Sequence, residues 1–211
     1  MSKTIVITGA NRGIGFSFCK YYQSKGFDVY AVCRKASEQL NALGINVIDG
    51  VDISVADDVA KLKSALAGVD ISILINNAGV LRDEVLGDLN FEGIKQQFEV
   101  NALGPLRVTE ALLNNLSSGS KVALISSRMG SVSDNSSGGR YGYRMSKSAL
   151  NIAGMSLAMD LEEEGVAVAI LHPGLVGTEM IGGHGDITPD EAAQRLGARI
   201  DGLNLENTGT F

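Results

Sequence analysis

The stretch Thr8-Gly9-Ala10-Asn11-Arg12-Gly13-Ile14-Gly15 constrains what this chain can fold into more than any other. It follows Thr4–Thr8, a short β-branched and apolar run of the kind that forms a buried strand. It opens a helical pattern that reaches about Lys25. Strand, Gly-rich turn and helix in that order aim backbone N–H groups and a helix N-terminus at a phosphate. Gly9 permits the turn, Gly13 allows close approach, and Gly15 lets the helix pack against the strand. The spacing is Gly-x3-Gly-x-Gly rather than Gly-x-Gly-x2-Gly, so the loop has a different length. The plainer alternative is a turn with no ligand, but its place directly after the first strand points to a dinucleotide. Asn11, Arg12 and Ile14 then join the three glycines as cofactor contacts.

The second strand, Asp28 to Cys33, ends in Arg34-Lys35. An acid at this position would take the ribose 2′-hydroxyl of NAD, whereas a basic residue suits the 2′-phosphate of NADP. Arg12 adds a second cation, so the cofactor expected is NADP(H).

Further strands are predicted over Ile45–Ile48, Ile71–Ile75, Lys121–Ile125 and Val166–Leu171, with Glu206–Phe211 beginning a last one. Their ends carry Asp52-Ile53, Asn76-Asn77-Ala78-Gly79, Ser126-Ser127 and His172-Pro173-Gly174, followed by Val176 and Thr178. These lie at the carboxyl edge, where ligands bind in such sheets. Between them, a helix runs from Ser54 as N-cap, with Asp57 near N3, to about Leu66. A long amphipathic helix runs from Phe91 to about Leu116. Pro105 within it has no N–H to give the carbonyl of Asn101, which predicts a kink and a carbonyl open to an active-site water. The 128–140 segment reads as a loop over the site. A helix from Tyr141 to about Glu164 is apolar or small nearly all round, so one side packs on the sheet and the other meets a second subunit. Met180–Thr188, with three Gly, reads as a mobile cover for the substrate, and Pro189–Asp201 as a helix started by Thr188. His172, beside a Pro at a strand end, reads as structural.

At the start of the Tyr141 helix, Tyr143 and Lys147 lie one turn apart on one face. A phenol titrates near ~10 and is a poor acid at neutral pH. A nearby ammonium favours the phenolate, lowers that pKa and permits proton transfer near neutrality. Either Ser127 or Ser126 could hydrogen-bond a substrate carbonyl.

With 211 residues the chain is long enough for one domain with a sizeable core. Gly is enriched, 26 of 211 against a usual ~7%, and with only 3 Pro this enrichment belongs to turns rather than a linker. A net charge of −6 argues against a nucleic-acid partner. Cys19 and Cys33 lie in apolar runs and read as free core thiols. The absence of a signal pattern or of ~18 consecutive apolar residues makes the expected location cytoplasmic, with no membrane span.

Taken together, Thr8-Gly9-x3-Gly13-x-Gly15, Asn76-Asn77-Ala78-Gly79, Asn101, Ser127, Tyr143-x3-Lys147 and Pro173-Gly174 with Thr178 resemble the short-chain dehydrogenase/reductase family over essentially the whole chain. The 128–140 region and the compact C-terminal part look most like the NADPH-dependent carbonyl reductases of the sniffer and C-factor type. The resemblance implies one α/β domain over residues 1–211. Its core would be a Rossmann-like, doubly wound parallel sheet of about seven strands with helices on both faces. The family usually completes a seventh strand and a tail, so an end at Phe211 suggests a clipped C-terminus.

The resemblance also implies roles. Tyr143 protonates the carbonyl oxygen as hydride arrives, and Lys147 binds the nicotinamide ribose and lowers the Tyr143 pKa. Ser127 holds the substrate oxygen, and the Asn101 carbonyl holds a water that continues a proton relay. Asp52 and Ile53 border the adenine, Asn77, Ala78 and Gly79 pass close to the cofactor, and Pro173, Gly174, Val176 and Thr178 orient the carboxamide. The activity implied is reduction of a ketone or aldehyde, or the reverse on an alcohol, with no metal. The assembly implied is a homodimer or homotetramer. The alternative is an NADP(H)-binding signalling protein of the same fold with little or no turnover.

Overall fold

The computed structural model describes residues 3–211. Six strands form one sheet: β1 (Thr4–Thr8), β2 (Asp28–Val32), β3 (Asn46–Ile48), β4 (Ile71–Asn76), β5 (Leu116–Ile125) and β6 (Ala167–Leu171). Every pairing is parallel and the order is β3-β2-β1-β4-β5-β6. The order reverses between β1 and β4, so a crevice opens beyond their carboxyl ends. This is the Rossmann-like doubly wound arrangement, in which ligands bind at that switch point.

Parallel strands bury both faces, which is why β1 is apolar without alternation. Ile5 and Ile7 pack with Phe18, Cys19 and Tyr22 of α1 (Gly13–Ser24) and with Leu196 and Ile200 of α7 (Pro189–Asp201). Val6 points the other way. It joins Leu62 of α3 (Ala56–Ala65), Val108 of α5 (Gly104–Ala111) and Leu150 of α6 (Tyr141–Asp160). Each fully buried Ile or Leu contributes roughly 1.5–3 kcal/mol. The two cores hold β1 rigid just before the Gly-rich turn. A short helix, α2 (Glu38–Asn41), capped by the Ser37 hydroxyl, was not foreseen in the sequence.

Four expectations are corrected. The sheet has six strands, not about seven. Residues 206–211 do not extend as a strand, because the Asn204 and Asn207 side chains cap a 3₁₀ turn over Leu205–Asn207 and Gly209 takes φ +74°. The segment still lies against β6, with Gly209 N–H on the Val168 carbonyl at 2.8 Å and Ile170 N–H on the Thr210 carbonyl at 3.2 Å. The long helix predicted from Phe91 to Leu116 breaks into α4 (Phe91–Phe98), a π-helical turn over Glu99–Leu103, α5, and a 3₁₀ turn over Leu113–Asn115. Pro105, lacking its N–H, sits just after the π turn, so the predicted kink takes the form of a widened turn. β5 accordingly begins at Leu116, five residues early, with an irregular register between Ile71 and Ile73. Finally, the N-cap of α3 is Val55, not Ser54. The Ser54 hydroxyl turns instead to Asp52 at 2.6 Å, and Asp58, not Asp57, reaches back to the Asp52 N–H at 3.1 Å.

Candidate active site and cofactor cleft

A cleft of about 600 Å³ opens at the carboxyl ends of the strands. It runs from the turn after β1 to the first turns of α6. Gly9, Asn11, Arg12, Gly13, Ile14, Arg34, Asp52, Ile53, Asn77, Ala78, Gly79, Tyr143, Lys147, Pro173 and Thr178 all line it. Five other sequence candidates, Gly15, Asn101, Ser127, Gly174 and Val176, do not line it. Gly15 and Asn101 act from behind its wall, and Ser127 acts through Tyr143. Val176 is buried at the base of the 176–187 segment.

The floor is set by close backbone approach. Gly9 has φ +66°, and a Cβ there would lie 2.7 Å from the Ala78 Cα. A Cβ on Gly15 would strike the Gly9 carbonyl and the Asn77 side-chain amide. Asn77 knits the two loops, donating from Nδ2 to the Thr8 carbonyl at 3.0 Å and the Gly9 carbonyl at 3.2 Å. The Thr8 hydroxyl accepts the N–H groups of Asn77 and Ala78. The N-terminus of α1 has no side-chain cap and no acid in its first turn. Its N–H groups and positive dipole end therefore suit an anion entering from the cleft.

At the far end, Arg34, Lys35 and Arg12 supply cations. Arg34 Nη1 lies 3.8 Å from Asp52 and Arg12 Nη1 2.6 Å from Glu179 of the segment after β6. The Arg12 pair is exposed and the Arg34 pair half-buried on its Asp52 side, and pairs so open to solvent contribute little to stability. Their effect is to hold the cations at the rim of the cleft.

The inner end carries the titratable pair. Lys147 is 4% exposed, and its Nζ donates to the Ile125 carbonyl at 2.7 Å. Burial alone lowers its pKa from 10.5 to about 8. Nζ lies 5.7 Å from the centroid of the Tyr143 ring, and a Cβ on Gly79 would be 3.8 Å from it. Burial pushes the Tyr143 phenol above its ordinary value, while a hydrogen bond with Ser127 and the charge of Arg140 pull it back. The net direction corrects the expectation of a lowered phenol pKa. Desolvation disfavours the phenolate more than the surrounding donors and charges favour it. The result is a phenol that keeps its proton at neutral pH, with a neighbouring amine that titrates close to neutrality.

Ser127 and Ser126 are told apart by their partners. The Ser126 hydroxyl donates to the Asn151 side chain, whereas Ser127 meets Tyr143 and also accepts the Met129 N–H at 3.1 Å. Asn101, fully buried in the π turn, uses its side chain to clamp the strand-end loop. Oδ1 accepts the Val80 N–H at 2.8 Å, and Nδ2 donates to the Val80 carbonyl at 2.8 Å and the Ser146 hydroxyl at 3.0 Å. Its carbonyl was the sequence expectation; the side-chain clamp was not. His172 and His184 are exposed and line no part of the cleft.

Sequence reasoning passed over Val32, Val51, Val80, Gln96 and Val100, which also line the cleft, as does Met180 at the start of the expected cover. Val80 follows Gly79 directly and Val100 precedes Asn101, so each neighbours a recognised motif. Gln96 carries no local signal. Among the described residues no cluster of His, Cys, Asp and Glu could hold a metal ion, and no helix is long and apolar enough to cross a membrane.

Residues 3–186 match the family model described as short chain dehydrogenase. A Rhodococcus sp. protein named 1-hydroxy-2-glutathionyl-2-methyl-3-butene dehydrogenase is 40% identical over 214 residues, covering 99% of this chain and 95% of its own. C-signal of Myxococcus xanthus is 45% identical over 144 residues, 67% of this chain and 87% of its own. Among solved structures, carbonyl reductase Sniffer of D. melanogaster superposes with a TM-score of 0.92 at 26% identity, covering 99% and 95% of the two chains. An NADPH-bound carbonyl reductase from chicken fatty liver gives 0.86 at 26% identity, covering 99% and 94%.

Proposed function

Because this chain belongs to the short-chain dehydrogenase family, we propose that it is an NADPH-dependent carbonyl reductase with Tyr143 as the general acid. The observation that carries this reading is the Ser127–Tyr143–Lys147 constellation at the inner end of the cleft, with Arg34, Lys35 and Arg12 at the outer end. The residues fit the cofactor. The uncapped N-terminus of α1 suits a pyrophosphate, and the rim cations suit a 2′-phosphate. NADPH, when bound, supplies the hydride that reduces the carbonyl carbon.

The chain's own residues do the rest. Ser127, which meets the Tyr143 hydroxyl in the free site, turns its one O–H to the carbonyl oxygen when substrate binds. Tyr143, still protonated at neutral pH, donates its proton to that oxygen as negative charge develops there. Lys147, with its pKa near 8 and its Nζ 5.7 Å from the centroid of the Tyr143 ring, returns a proton to Tyr143 through a bridging hydroxyl or water. Asn101 fixes Val80 and so holds the loop carrying Gly79 beside the Lys147 ammonium.

Steady-state assays over a panel of ketones and aldehydes, with NADPH and NADH side by side, test this. The reading expects turnover with reactive carbonyls and a clear preference for NADPH. An NADH preference would remove the role given to Arg34 and Arg12.

The likeness to C-signal favours one second reading, a signalling protein of the same fold that binds NADP(H) with little or no turnover. NADPH binding without turnover over the whole panel would select it. We also propose a homodimer or homotetramer built on the outer face of α6, where Ile152, Met155 and Met159 stand 67%, 44% and 60% exposed.

A further inference from the structure

The first turn of α6 is gripped by an acidic pair, Asp83-Glu84, that the mechanism above does not use. Arg140, the residue before the helix, has φ 51° and ψ 44°, a left-handed conformation that side chains disfavour. Among the described residues it is the one non-glycine with positive φ. Two contacts hold it there. Its N–H donates to the Glu84 carbonyl at 2.9 Å, and its Nε donates to the Asp83 carboxylate at 2.6 Å. Two residues further on, one oxygen of the Glu84 carboxylate accepts the Gly142 N–H at 3.1 Å. The other accepts the side-chain amide of Gln97 in α4. Glu84 is 4% exposed and Gln97 is fully buried. α4 and α6 touch through backbone at this point: a Cβ on Gly142 would lie 3.0 Å from the Ile94 Cα and would strike the Gln97 amide.

A buried carboxylate is tolerated only where donors surround it. Here one donor is the positive end of a helix, which favours an anion. The other cannot be turned round. The oxygen of the Gln97 amide is already taken by the Arg82 N–H at 2.9 Å, so its nitrogen must face Glu84. Two N–H donors therefore converge on residue 84, and the side chain between them must offer two acceptors. Glutamine offers one acceptor and sets its own NH₂ against a donor, while aspartate is a methylene too short.

We propose that Glu84 is a positioning residue for Tyr143, fixing the first turn of α6 so that the phenol one residue beyond Gly142 meets Ser127 at the inner end of the cleft. The proposal rests on the reading of Tyr143 as the acid.

The test uses the full chain, wild type, Glu84→Gln, and the exchange Glu84→Gln with Gln97→Glu. In the exchange the carboxylate at 97 accepts from Arg82 N–H and from the new amide at 84. That amide's oxygen takes the Gly142 N–H, while the long 3.3 Å bond to the Gly93 carbonyl is lost and a carboxylate oxygen faces that carbonyl instead. Three quantities are read: kcat and KM with a reactive aldehyde, NADPH affinity, and hydrogen exchange of the Gly142 amide by NMR. In Glu84→Gln, kcat falls about 10- to 100-fold, as expected of a misplaced catalytic group. KM and NADPH affinity change little, and the Gly142 amide exchanges faster. The exchange variant recovers both kcat and protection. An unaltered kcat or unaltered Gly142 exchange in Glu84→Gln overturns the proposal. So does an exchange variant that recovers neither, or that fails to fold. If wild type turns over no carbonyl at all, it is the reductase reading that fails, and the Gly142 exchange alone then decides whether Glu84 holds the turn.

Discussion

Lys147 shows how far a single side chain can trade stability for chemistry. Its ammonium is buried with one carbonyl partner, and desolvation lowers its pKa from 10.5 to about 8. The folded state therefore binds fewer protons than the unfolded state between pH 8 and 10.5. Below pH 8 both states hold the proton and the full desolvation penalty applies; as pH rises from 8 to 10.5 the penalty disappears. Replacing the ammonium with a neutral side chain of similar length removes that penalty. Lys147→Met is thus expected to unfold at higher temperature than wild type at pH 7, by up to about 3 kcal/mol of stability. The gain shrinks toward pH 10, and thermal melts at several pH values check it. A variant less stable than wild type at pH 7 would mean that the Ile125 carbonyl needs its donor more than the interior resists the charge.

The same logic explains what sequence could not supply at this scale. The pair Tyr143 and Lys147 is legible because four residues on a helix fix their spacing. The direction of the phenol shift is not, because burial by distant segments outweighs the neighbouring charge.

At the scale of elements, the π turn at Glu99–Leu103 joins the sheet edge to α6. Asn101 reaches Val80 on one side and Ser146 on the other through three hydrogen bonds. A net hydrogen bond contributes about 1 kcal/mol, so Asn101→Ala is expected to cost about 2–4 kcal/mol, including the buried groups left unpaired. Urea unfolding measures it directly, and a cost within error of zero would show that the clamp is redundant.

The Gly-rich turn was legible for a related reason: it is contiguous, and its geometry depends on glycines whose missing Cβ atoms can be read one at a time. Gly15→Ala should lower NADPH affinity at least tenfold, since a Cβ must displace the Gly9 carbonyl or the Asn77 amide. Isothermal titration would show this, and unchanged affinity would contradict it. By contrast, the breaks in the 91–116 segment and the grip of Glu84 on α6 depend on partners far apart in the chain. Pro105 gave notice of an interruption but not of its extent, and nothing near Glu84 signals Gln97 or Gly142.

At the scale of the whole molecule, the doubly wound order sets β1 and β4 side by side and opens the cleft between their ends, so motifs separated by more than a hundred residues share one site. This much followed from the sequence, because runs of apolar residues ending in Gly, Asn or Ser can be placed on a parallel sheet without knowing any side-chain contact. The last segment could not be placed that way. Residues 206–211 carry strand-like spacing, yet the Asn204 cap and Gly209 turn them against β6 by isolated hydrogen bonds. The apolar outer face of α6 raises a separate expectation. Ile152→Glu with Met159→Glu should shift the molecule toward a monomer in light scattering while leaving the far-UV spectrum intact, since both side chains project from the folded chain. A wild type already monomeric at micromolar concentration would contradict the proposed assembly.

The most direct test of the account compares single-turnover reduction of an aldehyde by NADPH in wild type and Tyr143→Phe, with NADPH affinity measured on both. The account predicts equal affinity and a rate reduced by about 10² to 10⁴, the range for loss of a general acid. A variant that binds NADPH normally and reduces the aldehyde at the wild-type rate would contradict it.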